Sequence, residues 1–376
     1  MANDTTEPVP AQAPQAAVAA DTAEDAPGNT GVACAEAADS DVLPPGVGAD
    51  VRRRRRRRIA LLGVLSSLLT VFALFTGWYL VNRKPVTALP LPGVTLVNIP
   101  HYAFSVYGVK APTGVAVSPD GSRIYVTQTE GDPSVLIFDG QGNKVGVMKP
   151  PATIGGDHVP VYLAINPKTG EVYESDRPAG SIYVFSADGV YRRTFDPGTS
   201  LAGWQPIGMS FDSAGNFYVT NVGSPGQSLL KFGPDGSLLL TIGGDSGLNF
   251  PNGVAVDRNG YIYVTDSNNG RLLVFDATGA RRALLPKGIS AGDLGLPRGV
   301  VVDDSGRVYV ADTTSDGVQL YHTLASEEPA PKYIGRFGVE GSDDGAFLFP
   351  NGVAVDARAR IYVTDWRNNR LQVWSY

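Results

Sequence analysis

PNGVAVDRNGYIYVTD, residues 251–266, returns almost unchanged as PNGVAVDARARIYVTD at 350–365 and as PRGVVVDDSGRVYVAD at 297–312. Looser copies begin PTGVAVSPDGSRIYVT at 112, PVYLAINPKTGEVYES at 160 and PIGMSFDSAGNFYVTN at 206. The six starts are separated by 48, 46, 45, 46 and 53 residues. A period of about 40–50 residues with several strands per unit marks the blades of a β-propeller. Within a unit the GVAVD-type run is short and apolar, as an inner strand buried on both faces requires. A turn such as Asp257–Arg258–Asn259–Gly260 follows, with Asn or Gly where φ must be positive. IYVTD alternates and is rich in β-branched and aromatic residues, which suits a second strand. RLLVFD (271–276) or RLQVW (370–374) supplies a third strand, and SLLLTIG (237–243) a more variable fourth.

Unit six reaches Tyr376 after its third strand, and HYAFSVYG at 101–108, which is similar to KYIGRFG at 332–338, stands before unit one. This N-terminal run is expected to complete the last blade and close the ring, which removes the exposed sheet edges. The expected fold class is therefore all-β: a six-bladed β-propeller of four-stranded antiparallel blades over 99–376, closed by an N-terminal strand and preceded by one transmembrane helix.

The pattern resembles the NHL-repeat family of six-bladed propellers, in its membrane-anchored, extracytoplasmic type. The resemblance covers about residues 99–376 and rests on P-x-G-V-A-V-D, G-x-I-Y-V-T-D and N-x-R-L-x-V-F or W, clearest at 251–275 and 350–374. Units two and three depart from it. Ser175–Asp176 and Thr220–Asn221 end their second strands, and the Asn-x-Arg element is missing. The resemblance implies the fold but does not select a function, because the family includes sensor domains, interaction modules and a few lyases.

The N-terminal quarter reads differently. Residues 1–51 are rich in Ala, Pro, Thr, Asp and Glu and have no aromatic residue, so they are expected to be a disordered cytoplasmic tail. Arg52 to Arg58 follow as a topology signal, then IALLGVLSSLLTVFALFTGWYLV at 59–81, uncharged over 23 positions. That length spans about 30 Å of hydrocarbon as a helix. Trp78 and Tyr79 suit its interfacial end. Seven arginines against Arg83 and Lys84 orient an uncleaved signal anchor with the N-terminus inside and the propeller outside the cytoplasm. Residues 82–98, with Pro85, Pro90 and Pro92, read as a stiff stalk.

Nine of the 31 basic and nine of the 37 acidic side chains lie in residues 1–84, so the net charge of −6 belongs to the remainder. A large acidic domain is a poor nucleic-acid binder. Cys34 is the only cysteine, which leaves neither an intrachain disulfide nor a cysteine metal site.

Candidate chemistry centres on the residue between Pro and Gly where each inner strand begins: Thr113, Val161, Ile207, Asn252, Arg298 and Asn351. These positions are expected to line the mouth of the central channel. Propeller lactonases of similar fold hold calcium there with carboxylate and asparagine oxygens, whereas this ring offers two asparagines, an arginine and no acid. Arg298 flanked by Asn252 and Asn351 suits a carboxylate, a phosphate or an acidic side chain. The competing reading makes both asparagines simple turn residues. Trp204 and Trp366 are further contact candidates. Aspartates in the loops and at second-strand ends, Asp176, Asp266, Asp312 and Asp365 among them, form an acidic rim or bond nearby backbone N–H groups. The second reading is preferred for the last three. His101, His158 and His322 are scattered and read as surface or turn residues, so no metal, cofactor or catalytic residue is expected. The expected role is an anchored module that binds a protein or a small anionic ligand. The alternative is a propeller lyase or lactonase with a metal at the central channel.

Overall fold

The computed structural model describes residues 59–60, 62–74, 98–198, 201, 203–223 and 226–376. The expected tail, arginine run and stalk up to residue 97 lie outside the described residues, as do 61 and 75–81 of the expected span. Residues 59, 60 and 62–74 are helical. Among the described residues no helix is long and apolar enough to cross a membrane. The chain divides into two compact units, Met1–Pro85 and Val86–Tyr376.

The second unit is a ring of six four-stranded antiparallel sheets. Blade 1 is Pro112–Val117, Arg123–Gln128, Ser134–Asp139 and Lys144–Met148; blade 2 is Pro160–Ile165, Val172–Asp176, Ser181–Phe185 and Tyr191–Thr194. Blade 3 is Pro206–Phe211, Phe217–Asn221, Ser228–Phe232 and Leu238–Ile242; blade 4 is Pro251–Val256, Ile262–Asp266, Arg271–Phe275 and Arg281–Leu285. Blade 5 is Pro297–Val302, Arg307–Asp312, Gly317–His322 and Tyr333–Phe337. Blade 6 is Pro350–Val355, Ile361–Asp365 and Arg370–Ser375, and its outer strand is His101–Val106 from before blade 1. His101 faces Ser375 and Val106 faces Leu371 in that antiparallel pair.

Apolar side chains of facing blades interlock. Tyr218, Leu229 and Ile242 of blade 3, for example, pack on Val254, Val264 and Phe275 of blade 4. Each blade is thereby covered on both faces, which large apolar strands need.

In every blade the register slips between the leading proline and the third residue after it, as at Pro251/Val254 and Pro350/Val353. The bulge lifts the x-Gly pair of P-x-G out of the ladder and aims it at the channel mouth. The glycine is there because the next blade's backbone is too close for a side chain. A Cβ on Gly253 would lie 2.6 Å from the Arg298 carbonyl oxygen, and one on Gly352 2.6 Å from that of Thr113.

The bulge leaves an inner-strand N–H unpaired by the sheet, and the threonine of IYVTD satisfies it. Gly114, Gly208, Gly253 and Gly352 N–H donate to Thr127, Thr220, Thr265 and Thr364 hydroxyls at 2.6–2.7 Å. Each hydroxyl then donates onward to the mouth residue of the next blade. Thr127 bonds Val161, Thr220 bonds Asn252, Thr265 bonds Arg298, and Thr364 closes the circle on Thr113. Ser175 does the same to Ile207 at 2.7 Å. Only blade 5 lacks the hydroxyl, having the buried Ala311 there. Such bonds contribute about 0.5–1.5 kcal/mol each.

Candidate functional site

Because all six bulges face the same end of the channel, the residues between Pro and Gly gather there. Their surroundings are unequal. On the side of blades 2 and 3 the mouth is filled with apolar groups, with Tyr162, Ile207 and Val222 buried against one another and Val161 and Phe250 packed on them. Tyr162 stands where the other five blades have glycine. Its side chain enters the mouth, reaches past blade 1, and donates a hydrogen bond of 2.7 Å to Asn351 Oδ1 of blade 6. Burial pushes its phenol pKa up, and the nearby Arg298 guanidinium pulls it partly back.

The polar side belongs to blades 4, 5 and 6. Asn252 is 2% exposed and its Oδ1 has no hydrogen-bond partner. Arg298 is half-buried, and its Nε is likewise buried without a partner. Asn351 is buried and engaged by Tyr162. Thr113 is tied up within the ring, its hydroxyl bonded to Thr127 and to the Val161 carbonyl, both at 2.9 Å. Buried polar atoms are nearly always paired. An orphaned acceptor and an orphaned cationic donor on adjacent inner strands therefore mark a place where a ligand would supply the partners.

At the opposite end the channel is apolar. A cavity of about 310 Å³ there is lined by strand-end residues including Val117, Ile165, Phe211, Val256, Val302 and Val355. A cleft of about 540 Å³ lies off the channel between the 287–295 loop and blade 5. Its charged groups are largely satisfied from within. Asp293 accepts from the Ser290 N–H, and Arg336 donates to the Ser315 and Gly338 carbonyls. The channel mouth is the better candidate on chemical grounds.

Trp204 is half-buried and packs edge-on against Phe232 within blade 3, with ring centroids 6.4 Å apart. Trp366 is half-buried between Phe349, 6.2 Å away, and the Arg367 guanidinium, 4.2 Å above its ring. The structure does not bring either indole together with the mouth residues in a hydrogen-bonded or ring contact. Phe349 and Phe250, each directly before a leading proline, hold φ at 57°. Bulky residues rarely adopt that left-handed conformation, and it tends to persist where surrounding structure enforces it.

The second-strand aspartates do not form an acidic rim. Asp266, Asp312 and Asp365 are buried and accept N–H groups of the preceding loop, from Asn249, Leu296 and Leu348 at 2.6–2.8 Å. The Asn-x-Arg element completes this knot, since Arg271 and Arg370 return to Asp266 and Asp365 at 2.6 and 2.8 Å. Asp176 is buried too, but blade 2 has no arginine at the corresponding position. His158 takes that place, its Nδ1 2.6 Å from Asp176 Oδ2. The reading of His158 as a surface or turn residue is thus corrected: a buried aspartate recruits the ring inward, leaving its side chain 17% exposed. Beside it lies Glu174, fully buried and standing where every other blade has valine. Burial pushes the Glu174 carboxyl well above the usual carboxylate range, and the Asp176 charge acts in the same direction.

These features define the class of protein, a six-bladed β-propeller of four-stranded antiparallel blades. The NHL repeat model matches residues 248–275, 294–316 and 347–374, which cover most of blades 4 and 6 and the first half of blade 5. No curated protein matches the chain. Among solved structures, a streptogramin B lyase superposes with a TM-score of 0.52 at 13% identity, over 72% of this chain and 96% of that one. Virginiamycin B lyase from Staphylococcus aureus gives 0.50 at 13% identity, over 71% and 95%. At such identity the likeness is one of fold.

Proposed function

We propose that the chain is a membrane-anchored binding module whose propeller takes an anionic group at the channel mouth, from a small ligand or from an acidic side chain of a partner protein. The observation that carries this reading is the pair of buried, unpartnered atoms, Arg298 Nε and Asn252 Oδ1. A carboxylate or phosphate accepts from the guanidinium, and a hydroxyl or protonated oxygen on the same ligand donates to the asparagine. Tyr162 and Ile207 give the opposite wall an apolar surface.

The full chain in detergent, titrated with phosphate, citrate and an aspartate-rich peptide, tests this by thermal shift. At a hundredfold excess over Kd a true ligand stabilises by about 2.7 kcal/mol. That gain disappears in Arg298→Ala. An equal shift in the variant moves the site elsewhere, and no shift with any anion sinks the reading.

The anchor rests on the uncharged 59–81 run behind seven arginines. In sealed cells, a membrane-impermeant maleimide is expected to leave Cys34 unlabelled while labelling a cysteine placed at the exposed Ile289. Equal labelling of both rejects the topology. A lyase or lactonase acting through a metal in the channel has less support. Among the described residues, the side chains grouped closely enough to hold a metal are His158, Glu174 and Asp176, none of them a mouth residue.

A further inference from the structure

Neither buried carboxylate of blade 2 pairs with a lysine or arginine among the described residues; both turn to His158. Glu174 is inaccessible to solvent, and both of its carboxylate oxygens lack a hydrogen-bond partner, as does His158 Nε2. With Nδ1 engaged by Asp176, the histidine presents Nε2 directly to Glu174 Oε1 at 3.4 Å. That is too long for a good hydrogen bond.

It is the right separation for a shared ion. Zinc bonds imidazole nitrogen at about 2.0–2.1 Å and carboxylate oxygen at about 2.0–2.2 Å, and a tetrahedral angle between them sets the donors about 3.3–3.5 Å apart. Asp176 holding the far ring nitrogen is the carboxylate–histidine arrangement that fixes tautomer and ring orientation at zinc sites. Glu174 extends from the same face of its strand as Val172, which packs against Tyr125, Ile137 and Met148 of blade 1. The site therefore sits in the joint between blades 1 and 2, and of its three side chains only His158 reaches solvent, at 17% exposure.

We infer that His158 Nε2 and the Glu174 carboxylate bind a divalent transition ion of the zinc class, with Asp176 as the positioning residue and water completing the shell. The ion supplies the positive charge that arginine supplies to the corresponding aspartates of blades 4 and 6. It pins the loop bearing His158 to the second strand of blade 2.

The full chain in detergent is stripped with a chelator, equilibrated with low micromolar Zn²⁺, dialysed, and assayed for metal by elemental emission. About one equivalent is expected in the wild type and none above background in His158→Ala or Glu174→Gln. Asp176→Asn is expected to bind about 10–100-fold more weakly. Glu174→Val, which restores the residue of the other blades, also loses the ion while keeping the wild-type circular dichroism, which separates ligand loss from misfolding. A wild type that retains no zinc overturns the proposal. So does undiminished zinc in both Glu174→Gln and His158→Ala, which would place the ion at His101 or His322. Nitrogen NMR showing both His158 ring nitrogens protonated in the presence of zinc also overturns it, because the imidazolium would then be the bridge.

Discussion

Arg370→Ala is expected to lower propeller stability by about 3–5 kcal/mol, the cost of leaving a buried charge without its partner. The Arg370 side chain is 3% exposed and Asp365 is wholly buried. Besides the 2.8 Å contact to Asp365, the guanidinium donates to the Asp343 and Ala346 carbonyls at 2.7 and 2.8 Å. The alanine variant leaves the buried Asp365 carboxylate without a cation, with only the Asn368 and Gln372 amides and the Leu348 N–H still donating to it, and removes the guanidinium bond to the Asp343 carbonyl. Arg271 makes the equivalent contact to Asp266 in blade 4, but it is 22% exposed, so water replaces part of what is lost. Thermal melts of Arg370→Ala and Arg271→Ala side by side check this. At about 2–4 °C per kcal/mol for large domains, the first is expected to fall by roughly 6–20 °C and the second by clearly less. Equal losses mean that burial does not set the strength of the motif.

Glu174→Val is expected to act in the opposite direction. In chelator-treated protein it removes an unpartnered buried carboxyl and restores the residue found in the other five blades. Exchanging buried ionic groups for apolar ones of similar volume often stabilises by about 1–4 kcal/mol. The gain depends on pH with a definite sign. Glu174 has a folded pKa well above its unfolded value, so between the two the folded state holds the extra proton. Wild-type stability therefore declines as pH rises from about 4.3, the ordinary glutamate value, through the folded pKa. The valine variant lacks that decline, and its advantage widens with pH across the same window. A valine variant that melts lower than wild type in chelator, or an advantage that shrinks as pH rises, contradicts this account.

Both predictions concern positions whose meaning lay partly in the sequence. The period, the alternation in IYVTD and the turn chemistry of D-x-N-G are local signals, and they suffice to place six blades. The second-strand aspartates were legible as backbone ligands for the same reason, since a residue that recurs with the repeat serves the repeat. The mouth residues were legible as a set, because P-x-G fixes where x lies. What each one touches was not. Asn351 bonds to Tyr162 from a non-neighbouring blade, and no pattern within a unit encodes a contact between blades 2 and 6.

The signals that were missed are departures from the repeat. Tyr162 replaces a glycine, Glu174 replaces a valine, and both fall in the unit that matches the consensus poorly. Read as imperfect conservation of a blade, they looked like noise. Read position by position against five copies, a tyrosine where the others have glycine and an acid in a core position stand out. His158 precedes the repeat motif, and only the fold brings it to Asp176.

The pairing of His101–Val106 with Arg370–Ser375 also has a kinetic side. His101 and Ser375 lie 274 positions apart, whereas the strands within a blade are joined by short turns. Closing a loop of that length costs about 3 kcal/mol more chain entropy than closing a ten-residue one, at about 0.6 kcal/mol per doubling. Individual blades can assemble as soon as their residues are available, but blade 6 cannot be completed until the sixth repeat has been made and threaded beside a segment that has waited since before the first. Circularisation is then the slow step of folding, as expected for a topology dominated by its longest-range contact. Until it occurs, the nascent domain exposes two raw sheet edges to its neighbours.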